Sequence, residues 1–82
     1  MSRTVVLTAS AQRDLRRLDR PVATRILDAL VWLADTGQGD VTRLEGTSDE
    51  WRLSVGDWRI RSDHPARTLE VLRILPRGQA YR

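Results

Sequence analysis

The stretch Trp51-Arg52-Leu53-Ser54-Val55-Gly56-Asp57-Trp58-Arg59-Ile60-Arg61 constrains this chain more than any other. Apolar and polar residues alternate with period two on both sides of Gly56-Asp57, which is the pattern of a half-buried strand pair. Glycine at the first central position of the turn can adopt the positive φ that a two-residue hairpin loop requires. The register follows, with Val55 opposite Trp58, Leu53 opposite Ile60 and Trp51 opposite Ser62. One face then collects Trp51, Leu53, Val55, Trp58 and Ile60 and is core material. The other carries Arg52, Ser54, Arg59 and Arg61, with Ser54 opposite Arg59 and Arg52 opposite Arg61. Like charges facing each other across a strand pair are destabilising, so an anion belongs on that face.

The remaining elements arrange themselves around this hairpin. Residues Arg3 to Leu7 are rich in β-branched side chains and read as a short first strand at a sheet edge. Thr8 or Ser10 offers an N-cap. Ala11, Leu15 and Leu18 follow at helical spacing, and this helix ends near Asp19. Asp19-Arg20-Pro21 restarts a helix, with a capping side chain followed by proline in the first turn. Its apolar stripe is Val22, Ile26, Ala29, Leu30 and Leu33, flanked by Ala23, Leu27 and Ala34. Trp32 belongs on the rim of that face or at a partner surface, with the rim favoured, and Gly37 stops the helix. Gln38-Gly39-Asp40 reads as loop, Arg43-Leu44-Glu45-Gly46 leads into the sheet, and Thr47-Ser48-Asp49 is a turn. After the hairpin, Asp63 to Arg67 turns again, with His64 exposed beside Pro65. Thr68 to Leu75 is nearly all apolar, the pattern of a central strand covered on both sides for much of its length. Pro76 ends it, and residues 77–82 form a short basic tail. The order is β-α-α-β-β-β. The expected fold is α+β and two-layered, with a helix hairpin packed on one face of a mainly antiparallel sheet.

At 82 residues the chain suits one domain over 1–82, and its 40% hydrophobic content suffices for a single two-layer core. Without cysteine there is neither a disulfide framework nor a thiolate metal site, which fits a reducing cytosol. No apolar run reaches membrane-spanning length and no signal peptide is legible, so a soluble cytoplasmic protein is expected. The formal net charge is +3, and all 14 basic residues are arginine. Arginine stays charged at any accessible pH and binds phosphate as a planar fork.

Several chemistries are absent from this pattern. The single histidine, His64, has no nucleophile beside it in sequence to activate. No cluster with metal-ligand spacing and no glycine-rich phosphate loop occurs, so no metal or other cofactor is expected. What remains is arginine on a sheet face. Arg52, Arg59 and Arg61 share that face, and Arg73 stands among apolar strand-mates one strand away. Arg77 and Tyr81 lie on the tail beyond. Guanidiniums bind a phosphodiester and stabilise charge that develops on it. A tyrosine ring stacks on a splayed base, or its hydroxyl joins a proton transfer. An arginine-rich protein also carries arginine on any exposed strand face, and that plainer reading stands beside the first.

Three segments together resemble the RelE/ParE toxin superfamily: Leu44-Glu45-Gly46, the hairpin with its Gly56-Asp57-Trp58-Arg59 turn, and Val71-Leu72-Arg73 with Arg77 and Tyr81 behind it. The resemblance covers nearly the whole chain. It implies a toxin of a type II toxin–antitoxin system with the RelE-like fold, held inactive by a cognate antitoxin that masks the basic face. For the RelE branch it implies an endoribonuclease that cuts mRNA on the ribosome by attack of the RNA's own 2′-hydroxyl. Carried over residue by residue, Arg59, Arg77 and Tyr81 are the catalytic candidates and Arg52 matches a basic strand position; with Arg52, the sheet-face residues Ser54, Arg61 and Arg73 are the substrate-binding candidates. The ParE branch shares the fold and poisons DNA gyrase instead. A family member that mainly binds its antitoxin is the third possibility. Two positions depart from the RelE pattern: Ser54 stands where a second basic residue is common, and Pro76 where histidine or lysine is common. A guanidinium is a poor general base, so the resemblance names no base.

Overall fold

The computed structural model describes residues 2–44 and 50–79. In chain order its elements are β1 (Thr4–Leu7), α1 (Ala9–Arg16), α2 (Arg20–Thr36), β2 (Val41–Arg43), β3 (Glu50–Val55), β4 (Trp58–Asp63) and β5 (Thr68–Pro76). The β3–β4 register is the one the alternation predicts, from Val55 opposite Trp58 to Trp51 opposite Ser62. Gly56 takes φ +57° in the turn, a conformation that costs an L side chain energy and glycine nothing. The sheet order is β1-β5-β4-β3-β2. All pairs are antiparallel except β1 with β5, where Thr4 lies beside Thr68 and Leu7 beside Val71. The two-layer α+β architecture is thus as expected, with one strand more than the sequence shows. That strand, β2, is three residues long, too short for periodicity to reveal. It forms because β3 offers a free edge to Val41–Arg43.

The helix boundaries follow from capping. Thr8, not Ser10, starts α1: its hydroxyl accepts the Ala11 N–H (3.1 Å) and donates to the Leu72 carbonyl (3.0 Å). That second bond ties the helix start to β5. The helix ends at Arg16 and not near Asp19, because the Arg17 and Leu18 N–H groups turn back to Asp14 and Leu15. Asp19 occupies the N-cap of α2 without a capping side-chain bond. Gly37, at φ +74°, closes that helix by donating to the Leu33 carbonyl.

Between the layers lies a core of Ala11, Ile26, Leu30, Leu33 and Ala34 from the helices against Leu53, Ile60, Leu69, Val71 and Ile74 from the sheet. Each buried Leu or Ile contributes about 1.5–3 kcal/mol. Leu27 and Trp32 depart from expectation. Leu27, Val31 and Trp32 are 37%, 52% and 56% exposed on the outer side of α2, so Trp32 is beyond the rim.

β5 also differs from its sequence reading. It is flanked by β1 and β4 only through Val71, and on the face away from the helices Leu72 and Leu75 are half-buried, not covered. A bulge explains its pattern. Ser62 pairs with Val71 and Arg61 with Arg73, leaving Leu72 as the extra residue. The bulge shifts alternation by one, so Val71 and Ile74, three apart, both enter the core.

Candidate functional site

The face of β3 and β4 away from the helices carries the expected side chains, but its charges are partly answered from within. Glu50 alternates onto the same face as Arg52 and Ser54. Its carboxylate accepts two bonds from Arg61, from Nε at 2.8 Å and from Nη2 at 2.9 Å. This fork is half-sheltered, with Arg61 33% and Glu50 14% exposed. Glu50 therefore supplies the anion that the Arg52–Arg61 pair requires. Period-two alternation extended by one residue locates it. Arg52 is half-buried and also engaged within the molecule, and Ser54 lies opposite Arg59.

Arg73 is held in a second fork. Its Nε and Nη2 donate to Asp14 of α1 at 2.8 and 3.3 Å, and the same carboxylate accepts the Ile74 backbone N–H at 2.9 Å. β1 no longer flanks β5 at this level, so Asp14 takes the place of a neighbouring strand. Burial alone would raise the Asp14 carboxyl. The Arg73 hydrogen bond, the Ile74 N–H and the charges of Arg73 and Arg17 outweigh it and hold the group below its usual range. No local sequence signal connects Asp14 to Arg73, which are 59 residues apart.

The tip of the hairpin is different. Arg59 folds back over the turn, where Nη1 donates to the carbonyls of Gly56 and Trp58, each at 2.8 Å. The Arg77 N–H donates to the Asp57 carbonyl at 2.8 Å, which fixes the start of the tail beside the turn and leaves the Arg77 side chain exposed. Among the described residues neither Arg59 nor Arg77 has a carboxylate within ion-pair distance. The structure thus brings Arg59 and Arg77 to one turn and commits Arg61 and Arg73 elsewhere. Tyr81 lies outside the described residues, as do Glu45, Gly46 and the expected turn at Thr47-Ser48-Asp49.

At the opposite end of the sheet His64 is half-buried and not an exposed turn residue. Its ring stacks on Trp51 with parallel planes and centroids 5.2 Å apart. Its Nε2 is 3.0 Å from the hydroxyl of Ser62, which is fully buried and out of reach of any substrate. Burial, then the nearby Arg3 charge, pushes the imidazole below its usual pKa, with Asp63 opposing. The ring packs on Trp51 and bonds Ser62 inside the fold. His64, just past the end of β4, stands five residues from Arg59, about 16 Å at strand spacing, so His64 cannot act at the hairpin tip. Among the described residues no three His, Cys, Asp or Glu side chains gather to hold a metal ion, and no helix is long and apolar enough to cross a membrane.

A family model described as the ParE toxin of type II toxin–antitoxin systems, parDE, matches residues 5–81. No curated protein matches the sequence. Three solved structures share the fold. A chain of the RelB–RelE antitoxin–toxin complex of Methanococcus jannaschii superposes with a TM-score of 0.78 at 19% identity, over 93% of this chain and 94% of its own. A chain of the archaeal RelE–RelB complex of Pyrococcus horikoshii gives 0.77 at 25% identity, over 96% and 99%. A chain of the toxin–antitoxin complex RelBE2 of Mycobacterium tuberculosis gives 0.81 at 21%, over 94% and 100%.

Proposed function

This chain belongs to the ParE toxin family of type II toxin–antitoxin systems, within the RelE/ParE superfamily, and from that premise we propose that it is an mRNA endoribonuclease acting on the ribosome. The observation that carries the reading is the division among the arginines. Arg59 and Arg77 meet at the hairpin tip with no carboxylate partner among the described residues, while Arg61 and Arg73 are neutralised by Glu50 and Asp14. Unanswered guanidiniums on neighbouring elements suit a phosphodiester.

In this reading the 2′-hydroxyl oxygen attacks the adjacent phosphorus and the bond to the 5′-oxygen breaks, leaving a 2′,3′-cyclic phosphate and a 5′-hydroxyl. Arg59 swings from its turn carbonyls onto the scissile phosphate, and Arg77 stabilises charge on the departing oxygen. Tyr81 stacks on or orients the substrate. The 2′-hydroxyl proton leaves to water or a ribosomal group, and the departing 5′-oxygen takes a proton from the same kind of source, because a guanidinium neither accepts nor releases a proton readily. Arg52 and Ser54 border the substrate, and Arg61 and Arg73 serve the fold. By likeness to the complexes above, a cognate antitoxin restrains the toxin. The apolar Leu27, Val31 and Trp32, exposed on α2, offer it contact.

A second reading, inhibition of DNA gyrase, draws on the ParE family match and on Ser54 in place of a basic residue. Induction in cells followed by mapping of mRNA 5′ ends separates the two. The endoribonuclease reading expects cuts phased with the reading frame that disappear in Arg59→Ala and Arg77→Ala. Intact mRNA during growth arrest, together with trapped gyrase–DNA cleavage complexes, would overturn it in favour of the gyrase reading.

A further inference from the structure

The turn at Gly56 is approached from two elements by two guanidiniums. Arg59, on β4, donates to its carbonyl at 2.8 Å. Arg25, an exposed residue of α2, lies over its α-carbon: a Cβ built on Gly56 would stand 3.3 Å from Arg25 Nη2, 3.9 Å from Nη1 and 4.0 Å from Cζ. Glycine at 56 meets the positive φ of the turn, and the Arg25 guanidinium lies close over its α-carbon. Arg77 joins from the third side through its backbone bond to Asp57. Among the described residues Arg25, like Arg59 and Arg77, has no carboxylate within ion-pair distance, and the side chain of Asp57 answers none of them. Elsewhere on this sheet Arg61 and Arg73 are held by Glu50 and Asp14. Charges of one sign converging on a single peptide unit raise its energy unless an anion joins them.

We infer that Arg25 is a substrate-binding residue, one that holds the phosphate next to the scissile one as an RNA strand crosses the hairpin tip. The inference rests on the endoribonuclease reading above. Arg59 and Arg77 take the reacting phosphate on the sheet side of the turn. Arg25, on the helix side, takes its neighbour in the chain and sets the strand's position. Such a contact adds to binding and to its salt dependence, and leaves the bond-breaking step alone.

The test is cleavage of mRNA on ribosomes stalled with an empty A site, titrated with purified toxin at several salt concentrations. Wild type is compared with Arg25→Gln, Arg59→Ala and Arg67→Gln; the last removes an exposed arginine from the turn at the far end of the sheet. Glutamine keeps helix propensity at position 25, and thermal melts confirm that each variant folds. Arg25→Gln is expected to raise the toxin concentration for half-maximal cleavage by roughly 3- to 10-fold, to leave the maximal rate within about twofold, and to lower the salt slope by about 0.7. Arg67→Gln should shift it less than about twofold. Equal shifts in Arg25→Gln and Arg67→Gln would reduce Arg25 to net charge and overturn the inference. A fall in maximal rate in Arg25→Gln would place it on the reacting phosphate and overturn the assignment to its neighbour. Loss of cleavage in Arg59→Ala beside a normal Arg25→Gln defeats the inference alone, and intact mRNA with wild type defeats the reading beneath it.

Discussion

Two sets of arginines around one small sheet differ in what answers their charge. Arg61 and Arg73, in mid-sheet, each lie in a two-pronged bond with a sheltered carboxylate. Arg25, Arg59 and Arg77, at the hairpin tip, touch backbone and each other's surroundings but no carboxylate among the described residues. The difference is architectural. The mid-sheet arginines fill places where the fold leaves a like-charge pair or a strand edge to complete. Among the described residues the tip arginines answer no carboxylate, and Arg59 holds turn carbonyls that it can exchange for an outside anion.

That contrast breaks most readily at the tip. Arg59→Ala and Arg77→Ala are each expected to slow single-turnover cleavage about 10²- to 10³-fold, as for the loss of one donor to a developing oxyanion. Both should melt within about 3 °C of wild type, since surface substitutions cost under about 0.5 kcal/mol. Asp14→Ala should do the reverse. It strands the Ile74 N–H and releases Arg73, so urea unfolding should show a loss of about 1–3 kcal/mol. Cleavage at a permissive temperature should stay near wild type. Glu50→Gln weakens a fork, where Asp14→Ala also strands a backbone N–H, and should cost about 0.5–1 kcal/mol in the same assay.

Acid sharpens the comparison with a smaller effect. The folded-state pKa of Asp14 is depressed below its ordinary 3.8, so its contribution is full above that value and is lost as pH falls through the lower folded value. His64 is depressed below 6.5 by burial and Arg3, so the unfolded chain takes up its proton first, and stability declines as pH drops below 6.5. Urea midpoints measured from pH 7 to pH 3 should decline in both windows. Asp14→Asn should flatten the lower one and His64→Gln the upper.

How much of this was legible in the sequence depends on distance along the chain. The β3–β4 register, its two faces, the end of α2 at Gly37 and the two-layer architecture follow from local signals: period-two alternation, a Gly-Asp turn, an apolar helical stripe. The Glu50–Arg61 fork was within reach, since the same alternation puts Glu50 on the arginine face. The parallel docking of β1 on β5, the strand β2 and the Asp14–Arg73 fork were not, because each exists only when segments far apart in sequence meet. The bulge at Leu72 made Arg73 look out of place among apolar neighbours, and its ion pair accounts for it. His64 reads as exposed beside Pro65 because nothing local announces the Trp51 ring that covers it. Arg25 sits on the outer side of a helix, where arginine is commonplace. Only the built turn brings it to Gly56.

The most direct test sets one arginine from each region side by side. Single-turnover cleavage of mRNA on stalled ribosomes is measured for wild type, Arg59→Ala and Arg73→Ala at a temperature where all three are folded. Arg59→Ala should lose about 10²-fold or more, and Arg73→Ala should stay within about threefold, a shift of roughly 0.7 kcal/mol. A normal Arg59→Ala beside a disabled Arg73→Ala would contradict the division of labour from which the function is inferred.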